Sequence, residues 1–488
     1  MSLVVDKFYA VCSTYRDKTA FIYEKKGKLV EKTFTEIEKE VDSVAAYLRQ
    51  RGVHSGDKLL AFSTPSYELC VFMLASMSIG ASILYVDFWA KQDRLKNAFE
   101  QYRPNHILVS KATTKIRFLF REIYTIKNIL YVDKEIAEHT YDLCSNTRED
   151  ISEDTPALIT LTTGSTGAPK AAIRTHSQLH EQLMLVCNNM DVENKDEYVL
   201  TTSYMYVFSN LLNGFTTVLP RLNLGRSSSA KLDRKLSVFT SLPITTIVTT
   251  PDFCLSVSNR FSKLRRVYIG GAILTINEAQ KIRIKFKPSD IIYIYGATEC
   301  NLITVTNLDD FINELREHSA SVLGEAVKGV QIRTNEKFEI MVSGKAMLDK
   351  YLTDRDLTNK ETDDSQTLWH KTGDAGELRD GKLFYYGRCD KKLPFAENLY
   401  SSQLEQRICV HFGSVEKCAV CSDKQDPTKI WIFVVGTDKK SLNISDICSY
   451  ILEQIPSAHP IVKRLSKMPC DVKHHTKINY KALQKLMK

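Results

Sequence analysis

What this 488-residue chain lacks already closes off several classes of function. It has no dense arginine tract. Basic residues are scattered, as in Lys263-Leu264-Arg265-Arg266 and Lys281-Ile282-Arg283-Ile284-Lys285. A nucleic-acid footprint needs basic side chains clustered on one face. A formal charge of +8, set against 66 basic and 58 acidic residues, therefore reads as a mildly basic protein with no nucleic-acid partner. A disulfide framework is also missing. The 12 cysteines mostly stand alone in apolar surroundings, Cys70 before Val71 and Phe72, Cys187 after Val186, as free thiols in a reducing compartment do. Cys418-Ala419-Val420-Cys421 has CxxC spacing, but it lies in a strand-like run without a second pair nearby, which argues against zinc or redox chemistry. Repeats and low-complexity blocks are absent from the sequence. Residues 69–85 carry no charge and approach spanning length, yet Ser76, Ser78, Gly80 and Ser82 interrupt them and the Gly80-Ala81 step separates a helix-like half from a β-rich half. A buried helix leading into a buried strand is expected there, not a transmembrane segment. The opening residues 1–7 hold no apolar core of signal-peptide length, and the expected location is cytoplasmic.

What is present is a globular composition, 43% hydrophobic and 25% charged. The length suits one large domain plus a smaller one. Helical and β-rich segments alternate over most of the chain, which predicts parallel sheets covered by helices. Residues 18–23 read as a strand, and 33–51 as an amphipathic helix with Phe34, Ile37, Val41, Val44 and Leu48 at helical spacing. Further strands are expected at 157–162, 246–248, 266–269 and 291–295. Near Gly387 the pattern shortens to a helix from Ser402, strands at 415–421 and 430–435, and a helix at 444–455. The expected fold is α/β, with a large N-terminal domain (1–387) of mixed, mostly parallel sheets covered by helices and a small, mobile α+β C-terminal domain (388–488).

The most informative stretch is Leu161-Thr162-Thr163-Gly164-Ser165-Thr166-Gly167-Ala168-Pro169-Lys170. Two glycines let the backbone turn sharply and bring amide N–H groups against an anion. The hydroxyls add donors for phosphate oxygens, and Lys170 adds positive charge. A strand before the loop and a helix-like segment from Ser177 fit a phosphate cradle. The spacing is not that of a Walker A loop.

This string resembles the phosphate-binding loop of the AMP-forming adenylating superfamily, which includes acyl-CoA synthetases, firefly luciferase and the adenylation domains of peptide synthetases. Further stations follow in order. Gly270-Gly271-Ala272 matches a glycine-rich turn beside adenine. Tyr295-Gly296-Ala297-Thr298-Glu299 matches the aromatic-Gly-x-Thr-Glu motif. Thr372-Gly373-Asp374 and Gly387-Arg388-Cys389-Asp390 match the segments at the ribose and at the domain junction, and Lys477 falls where the family carries a mobile catalytic lysine. The resemblance implies ATP and Mg²⁺ as cofactors and a small carboxylic acid as substrate. Thr162, Thr163, Gly164, Ser165, Thr166, Gly167 and Lys170 would hold the β- and γ-phosphates. Tyr295, beside Gly296 and Ala297, would cover adenine. Thr298 would meet the α-phosphate, Glu299 would ligate Mg²⁺, Asp374 and Arg388 would fix the ribose, and Lys477 would reach the reacting carboxylate. The small domain would turn about Asp390 before the acyl group passes to CoA or a carrier-protein thiol.

Three departures from the family pattern bear on the acceptor. Val207 stands about where many relatives have a gate histidine. Ala396 replaces the glycine that borders the pantetheine tunnel in the Gly-Glu-Asn-Val-Tyr segment of fatty-acyl ligases. The final motif, ending His475-Thr476-Lys477, lacks the usual glycine before lysine. These features resemble β-lactone synthetases, in which the substrate's own β-hydroxyl replaces CoA. Tyr204, Tyr206 and Phe208, with Leu211 and Phe215, are expected to line an acid pocket suited to a medium-to-long acyl or aryl acid. Acyl-CoA-ligase-like chemistry is the leading expectation. β-Lactone formation, amino- or aryl-acid activation for a carrier protein, and non-catalytic nucleotide binding stand as alternatives.

Overall fold

Local signals act where the spacing places them. Thr33 heads the helix Phe34–Gln50 with a capping box: its hydroxyl accepts the Glu36 N–H at 3.2 Å, and the Glu36 carboxylate accepts the Thr33 N–H at 2.7 Å. Phe34, Ile37, Val41, Val44 and Leu48 form the buried face of that helix. The uncharged run becomes the helix Tyr67–Ser78, capped by the Ser66 hydroxyl and buried all round except at Glu68, and then the strand Ser82–Asp87. A helix apolar on every face belongs inside a large domain. The computed structural model describes residues 3–63, 65–87, 92–110, 126, 128–132, 150–161, 171–190, 196–222, 227–318, 320–348, 350–351, 360–437, 442–471 and 477–487. Among them no helix is long and apolar enough to cross a membrane.

Two sheets carry the large part of the chain. In the first, the strands Thr19–Lys25, Thr216–Leu219, Tyr198–Thr201, Thr246–Thr249, Arg266–Gly270 and Asp290–Tyr295 lie side by side, every neighbour parallel. Beyond Asp290–Tyr295 the sheet continues antiparallel through Thr304–Asn307, Ser321–Ala326, Lys382–Arg388 and Leu368–Arg379. In the second sheet, Pro156–Leu161, Ser82–Asp87, Lys58–Ser63, His106–Val109 and Asn128–Tyr131 are parallel neighbours, with Ala171–Thr175 and Lys350–Tyr351 added antiparallel at one edge. Parallel neighbours need crossover connections, and these bring sequence-distant strands side by side.

The helix expected from about Ser177 is present as His176–Asn189, and a strand that the sequence pattern does not name precedes it. The chain first returns as the strand Ala171–Thr175, pairing Leu161 with Ala171 and Leu158 with Arg174 in an antiparallel hairpin. The helix His176–Asn189 begins only afterwards, on a capping box from Thr175 and Gln178. Antiparallel pairing satisfies the backbone of this short stretch.

The last hundred residues form a small α+β unit. Its sheet pairs Val415–Ser422 antiparallel with Lys429–Gly436, which in turn lies parallel to His459–Arg464, a strand that the sequence pattern does not announce. The helix Ser401–His411 packs Leu404 and Ile408 into the same core cluster as Leu274 and Ile276 of the large unit. Cys418 and Cys421 are buried on opposite faces of Val415–Ser422, one in that core and one in the cluster with Trp431 and Met468, because side chains three apart on a strand point opposite ways.

Candidate active site

The site is built at the end of Asp290–Tyr295. Tyr295, its last residue, donates its hydroxyl to Asp374 Oδ2 at 2.7 Å. Asp374 sits opposite Arg388 in the ladder between Leu368–Arg379 and Lys382–Arg388, and Arg388 Nη1 donates to Asp374 Oδ1 at 2.8 Å. Burial pushes the Asp374 carboxyl up, while Arg388, Tyr295 and the nearby Lys477 pull it back toward the ionised form. Burial also pushes the Tyr295 phenol well up, and the Asp374 charge adds to it. Burial works against the Arg388 cation, but Asp374, Tyr385 and Tyr295 together raise its pKa. The strand just before Asp374 is tightly fitted against Arg388. Gly373 has φ +71°, and a Cβ there would lie 2.9 Å from Arg388 Nη2. Thr372 Oγ1 donates to Ile340 O at 2.9 Å and accepts the Asp374 N–H at 3.1 Å.

Gly296, Ala297, Thr298 and Glu299 leave the strand as a turn. A Cβ on Gly296 would meet Asn301 O at 2.2 Å, so only glycine allows the chain to double back here. Thr298 and Glu299 are half-buried. Leu348 N donates to Glu299 O at 3.0 Å, which holds the backbone. Among the described residues no group of three or more His, Cys, Asp or Glu could hold a metal ion. A cation beside Glu299 would take one protein carboxylate and complete its shell with phosphate and water oxygens, the donor set that suits Mg²⁺. Gly270 ends the neighbouring strand, and the following turn is held by a residue that no motif marks. Tyr293 donates its hydroxyl to Ala272 O at 2.7 Å and accepts the Leu274 N–H at 3.1 Å.

Lys477 reaches this cluster from the small unit, near enough for its charge to act on Asp374. Asp471 N donates to Lys477 O at 2.8 Å and Cys470 bridges Ile478, while residues 472–476 lie outside the described residues. Asp390 is exposed in the short turn Cys389–Lys391, where it pairs with Lys391 at 3.5 Å. Ala396 is also exposed. Thr162, Thr163, Gly164, Ser165, Thr166, Gly167 and Lys170 lie outside the described residues, between the paired strands Pro156–Leu161 and Ala171–Thr175.

The expected acid-pocket lining divides. On the helix Tyr204–Asn213, Tyr206 faces a narrow apolar cavity with Val186, Met190, Tyr268, Ile294 and Leu302. Burial pushes its hydroxyl up to about 12. Tyr204 and Phe208 belong elsewhere and correct the sequence reading. Tyr204 accepts the Ser66 N–H at 2.8 Å and packs edge-on against Tyr85, and Phe208 is sealed in the core with Val207 and Leu211. Residues two apart on a helix point to opposite sides, and residues four apart share one. No carboxylate is among the described residues that line this cavity.

A family model described as AMP-binding enzyme matches residues 8–352. Bacitracin synthase 1 of Bacillus licheniformis is 23% identical over 486 residues, which is 92% of this chain but only 9% of that protein. D-alanine–D-alanyl carrier protein ligase of Streptococcus pneumoniae (strain 70585) is 25% identical over 401 residues, 77% of this chain and 75% of that protein. The fold matches that of an amide bond synthetase from Marinactinospora thermotolerans with a TM-score of 0.83 over 99% of each chain, at 15% identity. The match at residues 8–352, together with the site assembled around Tyr295 and Asp374, places the chain in the AMP-binding enzyme family.

Proposed function

We propose that this protein activates a carboxylic acid with ATP, forming an acyl-adenylate and releasing pyrophosphate, and then passes the acyl group to a thiol. The observation that carries the reading is the hydrogen-bonded group of Tyr295, Asp374 and Arg388 at the end of Asp290–Tyr295, with Lys477, whose charge acts on Asp374, assigned to the reacting carboxylate. Each Asp374 oxygen already accepts one hydrogen bond and has a lone pair left for a ribose hydroxyl. Thr298 and Glu299 are assigned to the α-phosphate and the cation. Residues 162–170, carried by the neighbouring hairpin, are assigned to the β- and γ-phosphates. In the reaction a carboxylate oxygen bonds to the α-phosphorus while the bond to pyrophosphate breaks, so two anions must meet. The Lys477 ammonium offsets that growing charge and orients the carboxylate. Mg²⁺, held through Glu299, would neutralise phosphate charge when bound. Residues 1–387, with Arg388 at the boundary, supply the nucleotide site and 388–488 supply the lysine, with the hinge at Asp390.

The apolar surroundings of Tyr206, a cavity of about 10 Å³, are in keeping with an aryl or aliphatic acid. Pyrophosphate release from ATP, measured across a panel of aryl, aliphatic, β-hydroxy and amino acids, tests this reading. Release confined to amino acids would overturn the choice of substrate, and no release with any acid would overturn adenylation. Repeating the active pairs with CoA, with a carrier protein or with no thiol identifies the acceptor, and a lactone formed from a β-hydroxy acid without any thiol would replace thiol transfer.

A further inference from the structure

Arg174 is among the largest fully buried side chains, 1% exposed, and lies four residues after the 162–170 segment. Its planar fork reaches three elements. Nη1 donates to Thr160 Oγ1 at 2.8 Å, Nε to Gln182 Oε1 at 2.7 Å and Nη2 to Thr298 O at 2.6 Å. Gln182, 0% exposed on the helix His176–Asn189, extends the brace: its Nε2 donates to Glu299 O at 3.1 Å and to Ala346 O at 3.0 Å, and its Oε1 also accepts Asn301 Nδ2 at 3.2 Å. Thr160 lies two residues before the 162–170 segment on one sheet, whereas Thr298 and Glu299 leave the end of a strand in the other. Backbone carbonyls of both Thr298 and Glu299 are thereby tied to the hairpin that carries the glycine-rich segment.

We infer that Arg174 and Gln182 are positioning residues, which set the distance between the Thr298-Glu299 turn and the glycine-rich hairpin and so set the grip on the triphosphate and its cation. The inference rests on the adenylation reading. An ATP site assembled from two sheets holds its geometry only if something rigid spans them, because a displacement of about 1 Å at a reacting centre costs on the order of 10²-fold in rate. Buried networks of this kind rigidify when every member is satisfied. Arginine suits the task because its fork aims several donors at fixed angles, whereas lysine offers one mobile ammonium.

Two variants separate positioning from mere support of the fold. Arg174→Lys keeps the charge and loses the fork. Gln182→Glu keeps an acceptor for Arg174 and removes both donors to the Glu299 and Ala346 carbonyls. Calorimetry on the full chain measures the affinity for a non-hydrolysable ATP analogue with Mg²⁺, and separately for AMP, which is held chiefly by the Tyr295–Asp374–Arg388 group. Both variants are expected to weaken the Mg²⁺–ATP analogue by at least ~10-fold, while AMP affinity changes less than about threefold. The midpoint of a Mg²⁺ titration of analogue binding should move to higher concentration. Variants that keep wild-type affinity for both ligands, or lose both to the same extent, overturn the inference. Failure of the wild-type protein to release pyrophosphate with any acid would instead count against adenylation, and the contrast between analogue and AMP would still decide the positioning role.

Discussion

Asp374 and Lys477 sit 103 positions apart in the chain and act on one another in the fold. Lys477 is exposed and supplies charge to a site whose other members are buried or half-buried, so its removal should leave nucleotide binding in place and remove transition-state stabilisation. Lys477→Ala is expected to lower acid-dependent pyrophosphate release by at least ~10²-fold with little change in AMP affinity. Stopped-flow detection of pyrophosphate beside AMP calorimetry checks this, and a variant that keeps most of the wild-type rate would remove Lys477 from the mechanism. Asp374→Asn keeps the shape but leaves Arg388 facing a neutral amide and weakens the ribose acceptor. It should weaken AMP by roughly tenfold or more, since hydrogen bonds to charged groups contribute about 1.5–3 kcal/mol. Equal AMP affinity in the two proteins would show that the ribose lies elsewhere. The Thr-Gly-Asp string made Asp374 legible in the sequence. The hydroxyl of Tyr295 as its hydrogen-bond partner was not legible, because no local pattern records which strands become neighbours.

Among the elements, the helix Ser401–His411 ties the small unit together through one carboxyl group. Glu405 is buried and accepts the Val420 N–H at 2.8 Å and the Tyr480 hydroxyl at 2.7 Å. The helix Tyr480–Gln484 begins three residues after Lys477, so Glu405 helps to seat the segment that carries the lysine. Burial pushes the Glu405 carboxyl up to about 7, against the pull of its two donors and of Lys391 and Lys417. Its folded pKa therefore lies above the unfolded value. The stability linked to this group is fully present below the unfolded pKa and is lost as pH rises through about 7. The full span of that loss is about 3 kcal/mol. Melting temperatures of the wild type and of Glu405→Gln, taken from pH 5 to pH 8, should diverge, with the wild type falling relative to the variant as pH rises. Parallel curves would contradict this. Helix and strand positions here were readable from periodicity, but nothing in the sequence around Gln403-Leu404-Glu405 marks this glutamate as the one turned inward.

Across the whole molecule, a few polar contacts seat the small unit against the large one. Lys417 Nζ meets Glu278 Oε1 at 2.8 Å, with both side chains largely covered, and Asn277 Nδ2 donates to Val415 O at 2.7 Å. Gln406 Nε2 donates to Leu274 O at 2.8 Å and to Ser321 Oγ at 3.2 Å. Removing one member of a buried ion pair strands the other charge and costs about 3–5 kcal/mol. Lys417→Met should destabilise the protein by roughly that amount, and adding Glu278→Leu should recover most of it. Urea unfolding of the two single variants and the double variant checks the coupling, and simple additivity would show that the pair does not act as a unit.

By itself the sequence determined the alternation of helices and strands, the presence of a small α+β unit in the C-terminal part, and the order of the motif strings from 161 to 477. Each of these depends on local periodicity, on residues with special backbone freedom, or on short strings. Only the tertiary structure decided that the strand Ala171–Thr175 stands between the glycine-rich segment and the helix expected from Ser177, since it pairs with Pro156–Leu161. It also decided that Tyr206 alone of the three named aromatics faces the cavity, because the packing of Tyr204–Asn213 sets which side of that helix is which. Arg174 reads in sequence as one basic residue shortly after the glycine-rich segment. Burial and three acceptors drawn from separate elements turn it into a brace, and acceptors so far apart in the chain meet only once both sheets have formed.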